Sequence, residues 1–157
     1  MKHDKMQSMH WHLLLLMGAI HFLLMYALMY AMVDRFANVF MNLNQVYMAG
    51  IMTAPMLILE VALMGSMYAN KRALAILAGA SLLVFTLFFV FIRQQTAIGD
   101  REFLQSMIPH HGGAVLMCTQ APIEDPEILD LCGQIIASQQ AEIDQMKQIL
   151  ERLENGD

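Results

Sequence analysis

Charge is scarce in this sequence. Only 15% of its 157 residues are Asp, Glu, Lys or Arg, against 57% hydrophobic, which excludes an ordinary soluble domain of this length. The balance is acidic, −5 with histidine neutral, and the acid lies mostly in the C-terminal part. Nucleic acid is therefore not an expected partner. No nucleophile triad, phosphate loop or nucleotide motif occurs, so the chain is not expected to be an enzyme. The first apolar run, 13–33, lacks a small-residue cleavage site and is too long for the core of a signal peptide.

What the sequence does hold is three long apolar runs, "LLLLMGAIHFLLMYALMYAMV" (13–33), "VYMAGIMTAPMLILEVALMGSMYA" (46–69) and "ALAILAGASLLVFTLFFVFI" (73–92). Each suffices to cross ~30 Å of hydrocarbon at ~1.5 Å per residue in a helix. Lys2, Lys5, Lys71 and Arg72 flank the spans on one side; Arg35, Arg93 and Arg101 flank them on the other, beside Asp34 and Asp100. The positive-inside rule then puts the N-terminus inside and the C-terminal segment outside. The expected architecture is all-α: a cytoplasmic tail (1–12), a three-helix transmembrane domain (13–99) and an extracytoplasmic helical hairpin (100–157). The expected location is the cytoplasmic (inner) membrane of a bacterium, with the hairpin on the periplasmic side and the lipid bilayer as a partner.

Methionine is abundant, sixteen in all. Its thioether is a soft ligand suited to Cu(I), although a single methionine in an apolar helix is usually a gap-filler. Met17, His21, Met25 and Met29 recur every four residues along the first span, as do Met48, Met52, Met56, Glu60 and Met64 along the second. Antiparallel pairing about the polar link 34–45 sets His21 against Glu60, Met25 against Met56 and Met17 against Met64. An unpaired ionisable residue inside a span costs about 2.5–3.5 kcal/mol on insertion scales, so His21, Glu60, Met25 and Met56 form a candidate intramembrane site. A four-residue period drifts ~40° per step on a 3.6-residue helix, which favours a local site over a continuous conduit. The third span offers Gly79, Ala80 and Ser81 as a small-residue contact face. At the N-terminus, His3, Met6, Met9, His10 and His12 cluster weakly.

Residues 100–153 read as two helices. Asp125 is the N-cap and Pro126 the first residue of the second. Pro109 interrupts the first helix and leaves the Gln105 carbonyl without its donor, so a bend is expected there. The short loop 121–125 makes an antiparallel hairpin. The second helix has a seam of Ile128, Cys132, Ile135, Gln139, Glu142, Met146, Ile149 and Leu153, polar in its middle. The first has Phe103, Met107, His110, Ala114, Met117 and Ala121, with His111 beside it. Folding about Glu124 sets His110 near Gln139, Met107 near Glu142 and Met117 near Cys132. Met107, His110, His111 and Met146 are the candidate metal ligands, with Gln139 and Glu142 orienting the imidazoles behind them. Cys118 and Cys132 are expected ~6 Å apart along the axes and ~8–10 Å apart across them, beyond the ~7 Å reach of a disulfide. Free thiols follow, accessory soft ligands with Met117.

The stretches "FLQSMIPHHGGAVLM" and "DPEILDLCGQIIASQQAEIDQM" resemble the family named domain of unknown function 305 over about residues 101–153. Met107, Pro109, His110, His111, Gln139, Glu142 and Met146 fall on its pattern, whereas Gly112 stands where a Glu or Gln is common. The resemblance implies a small ferritin-like domain outside the cytoplasmic membrane, linked to copper or silver binding and tolerance. A ferritin-type di-iron site needs a Glu from each of two helices and Glu-x-x-His from each of two more. This seam is too poor in carboxylates for that, and thioether with imidazole fits Cu(I) or Ag(I) better.

A ~54-residue hairpin buries too little on its own, so a homodimer closing a four-helix bundle is expected, the alternative being docking onto its own spans. Three functions remain open. The first is a membrane-anchored Cu(I)/Ag(I) binder that buffers the ion, confers resistance or exchanges the ion with a copper donor or acceptor protein. The second is an assembly module whose polar seam only sets helix register. The third is a metal-transport component using the His21–Glu60 layer.

Overall fold

The computed structural model describes residues 2–156, and side chains from Trp11 onward. It is all-α, with no strand among the described residues: α1 (Lys2–Leu28), α2 (Leu43–Met64), α3 (Lys71–Gln94), α4 (Asp100–Gln120) and α5 (Pro126–Asn155). Two compact units result. One joins Met1–Leu28 with Val46–Thr96, the other Met29–Gln45 with Ala97–Asp157. The link between the first two spans thus belongs to the same unit as the C-terminal hairpin.

In the first unit, Trp11–Met32, Leu43–Met67 and Lys71–Gln94 are long and apolar enough to cross a membrane. Their outward side chains are unburied apolar ones, such as Leu23 at 64% and Leu83 at 59% exposure. That pattern suits a lipid solvent, in which close packing and not hydrophobic burial joins helices. Small residues make the contacts. Ala49, Ala54 and Ser81 are buried, and Gly50 lies so close under the Phe88 ring that no Cβ fits. Of the expected small-residue face, Ser81 is buried while Gly79 meets nothing. Buried Tyr47 packs on Phe88 and Phe91 at 5.8 and 5.7 Å, and its hydroxyl donates to the Thr96 carbonyl at 2.8 Å.

The depth matching expected of the two ladders puts Met17 beside Met64, and these two do line one cleft, but it does not describe the pair throughout. It aligns Gly18 with Leu63, but Gly18 packs against Leu57, whose Cδ2 lies 3.2 Å from the position a Cβ would take. Glu60 lines that cleft with Leu14 and Met17, and His21 is not among its lining residues. The physical reason is that an apolar side chain seated over a glycine dictates the approach of two membrane helices, and a lone polar pair does not.

In the second unit, Asp125 caps α5 by accepting from the Glu127 and Ile128 amides, with Pro126 first in the helix and Gly156 closing it at φ 79°. Leu104, Ile108, Val115, Ile143, Met146 and Leu150 form the core, with Phe40, Met107 and Ile149 against it. The buried stripe of α4 is therefore 104–108–111–115, one residue or ~100° of rotation from the expected seam. Phe103, Met117, Ile128 and Leu153, expected inside, are 49%, 54%, 47% and 37% exposed. The stripe used carries the branched aliphatics.

The link supplies the third layer of this unit. Asn42 caps α2 by accepting from the Gln45 amide at 3.0 Å, and its Nδ2 donates to the Gln105 carbonyl at 3.4 Å. That carbonyl is the acceptor left without its donor by Pro109. Nearby, Glu102 accepts the Leu43 amide at 3.0 Å and Ser106 accepts from Asn44 at 3.1 Å. A second polar group continues along the link. Asn38, 1% exposed, donates to Asp34 at 2.6 Å and accepts from Lys147 at 2.6 Å. Arg35 donates to Asp34 at 2.8 Å and to Gln140 at 3.0 Å.

Candidate metal centre

The chemistry of the hairpin gathers on two helical turns. Met107 and His111 lie one turn apart on α4, Glu142 and Met146 one turn apart on α5, so each pair shares a face. His111 is buried at 7% exposure, and its Nε2 lies 2.7 Å from Oε2 of Glu142. The same register puts Met107 and Met146 together one turn further from the loop, and both pack in the core. The expected pairing about Glu124 is corrected by one turn of α5: Glu142 partners His111, where Gln139 was to partner His110. His110 points outward and is exposed, its ring centroid 6.0 Å from that of His111. Gln139 is half-buried.

Both nitrogens of His111 are engaged. Nδ1 lies 2.9 Å from the Met107 carbonyl. A carbonyl accepts only, as does an ionised carboxylate. Satisfying both contacts therefore takes two protons on the ring or one on Glu142. The Glu142 side chain is 52% exposed against 9% for His111, so the carboxylate is the partner free to move. Among the described residues no three His, Cys, Asp or Glu side chains group to hold an ion. Any centre here thus depends on thioether sulfur. Two thioethers and one imidazole beside a single carboxylate fit a soft ion and do not fit a hard one.

The cysteine expectation is overturned. Cys118 and Cys132 form a disulfide, with Cα atoms 5.2 Å apart. Next to so short a loop the helices converge within the usual packing distance, and the two residues stand at nearly the same height. Neither thiol is free to serve as an accessory ligand, and Met117 beside them is 54% exposed. In the membrane unit His21, Met25, Met56 and Glu60 are all half-buried. The side chains of His3, Met6, Met9 and His10 lie outside the described residues, and His12 is exposed.

Two features escaped the sequence reading. One is the inward stripe of Leu104, Ile108 and Val115, whose four-then-seven spacing was a legible signal. The other is Asp34. Its Oδ1 lies 2.6 Å from where a Cβ of Gly112 would sit, so the missing side chain on α4 makes room for a carboxylate from the link. No local pattern announces that.

The arrangement is that of a helical protein with three helices apolar enough to span a membrane and a disulfide-stapled hairpin bearing a Met–His–Glu–Met seam. Residues 89–154 match the family described as Domain of unknown function (DUF305). The chain is also 33% identical over 121 residues to the Uncharacterized protein L153 of Acanthamoeba polyphaga mimivirus, covering 75% of this chain and 77% of that protein. An alignment of that length reaches beyond the hairpin into the spans. The segment 89–154 thus belongs to the DUF305 family, and the chain as a whole is related to that mimivirus protein. No solved structure matches it.

Proposed function

We propose that this protein is a membrane-anchored binder of a soft monovalent ion, Cu(I) or Ag(I), held at the hairpin and buffered there or passed to a protein partner. The observation that carries the reading is the pair of facing turns, Met107/His111 against Glu142/Met146, with the imidazole Nε2 held by a carboxylate able to swing out. The ion would take the proton's place at Nε2, with the two thioethers beneath and His110 as an outer donor. Its binding would release a proton, since the nitrogen must give up its hydrogen to ligate. The role is that of a carrier, not a catalyst.

The disulfide supports an oxidising side for the hairpin, in keeping with an inside N-terminus and an outside C-terminus in a bacterial inner membrane. Activity of a reporter at the C-terminus only in the cytoplasm would refute that orientation. The apolar side chains exposed near the loop, Met117, Ile128, Leu129 and Leu131, favour a second copy of the hairpin closing a four-helix bundle. Light scattering of the purified chain at one protomer per particle would refute the dimer.

A second reading has its own support. Because His111 is satisfied at both nitrogens within the protein, the pair alone suffices to set helix register. Anaerobic Cu(I) titration against a chelator separates the two. The expected result includes one ion held at the hairpin that competes with the chelator; that ion drops out of the stoichiometry in His110→Ala/His111→Ala and is weakened roughly 10–100-fold in Glu142→Gln. Binding unchanged by these substitutions, or absent from the start, leaves the register function.

A further inference from the structure

The four donors of the hairpin recur in the membrane unit. Where α4 has Met107 and His111 one turn apart, α1 has Met17 and His21; where α5 has Glu142 and Met146, α2 has Glu60 and Met64. Glu60 is also the one acidic residue within the three apolar spans. It lines a cleft of about 170 Å³ with Met17, Met64, Met67 and Tyr68, together with Leu13 and Leu14 of α1.

We propose that this cleft is a second soft-cation site, in which the thioethers of Met17, Met64 and Met67 and the carboxylate of Glu60 hold one Cu(I) or Ag(I). Three neutral sulfur donors select a soft ion. Calcium or magnesium needs six or more oxygens, and only Glu60 and Tyr68 among the lining side chains bring oxygen. Charge selects the valence. One carboxylate and one monovalent cation leave the site neutral, whereas a dication leaves an unpaired charge in a poorly solvated setting. The difference from the hairpin is that no imidazole lines this cleft, so sulfur dominates the donor set. The site shares no residue with the hairpin centre and does not rest on that reading.

The test uses the full chain in lipid nanodiscs, with Ag(I) as a redox-inert probe under anaerobic conditions. The hairpin donors are first removed by Met107→Leu, His110→Ala, His111→Ala and Met146→Leu. That protein is expected to retain a silver ion against a competing thioether chelator, with sulfur neighbours in X-ray absorption. Adding Met17→Leu, Met64→Leu and Met67→Leu is expected to abolish that ion, and adding Glu60→Gln alone to weaken it roughly tenfold or more. Methionine-to-leucine exchange conserves volume, and unchanged helical dichroism checks the fold. No silver retained by the hairpin variant, or retention unaffected by the three leucines, overturns the proposal. Failure of the hairpin reading has a different signature: an unchanged stoichiometry when only the hairpin donors are removed.

Discussion

The α1–α2 pair and the α4–α5 hairpin present Met-x-x-x-His opposite Glu-x-x-x-Met, yet join them differently. In the hairpin the histidine meets the glutamate at 2.7 Å. In the membrane pair the glutamate lies with the methionines. The contrast follows from what aligns each pair. The hairpin is aligned by a short loop, a disulfide beside it and two fully buried isoleucines, Ile108 and Ile143. The membrane helices are joined by a long link engaged with other partners, and Leu57 packs over Gly18 between them. Donor types and spacing alone do not determine which donors converge.

The largest effect expected of a single change separates the two kinds of core. Ile143→Ala empties a site with 0% exposure and should cost about 2–5 kcal/mol, read as faster hydrogen exchange throughout α4 and α5 in the full chain. Leu83→Ala, on an outward position of α3 at 59% exposure, should stay within about 0.5 kcal/mol. Equal losses would mean the two units are stabilised alike. Next comes the histidine comparison. His111→Leu removes a bond to a carboxylate and should cost about 1.5 kcal/mol, the low end for a charged partner because Glu142 is half-exposed. His21→Leu should change stability little; a loss matching that of His111 would restore the His21–Glu60 pairing. The smallest effect is that of the link. Asn42→Ala removes the α2 cap and the donor to Gln105, for about 1 kcal/mol, and should speed exchange around Pro109 before it affects the rest of α4. Exchange unchanged around Pro109 would mean the link does not support that turn of α4.

Much of the candidate site was legible because it is local. Helix faces follow from one-turn spacing, so Met107 with His111 and Glu142 with Met146 could be read from the chain. Which histidine faces inward could not. Choosing between 103–107–110–114 and 104–108–111–115 required weighing Leu104, Ile108 and Val115 against Phe103 and the methionines. The disulfide failed for a related reason: generic helix spacing overstates the distance beside a tight loop. The link was read as a polar connector, and its partners at Gln105, Lys147 and Gln140 are more than sixty residues away in sequence.

By itself the sequence determined that this chain has three apolar helices, a helical hairpin capped at Asp125, and soft donors one turn apart, because hydropathy, capping and helical periodicity act over a few neighbouring residues. Only the tertiary structure decided the register of each pair, the bonding of the cysteines and the docking of the 29–45 link. Those depend on how close two backbones can come, which is set by side chains distant in the chain and by the few positions, such as Gly18, Gly50 and Gly112, where a side chain is missing.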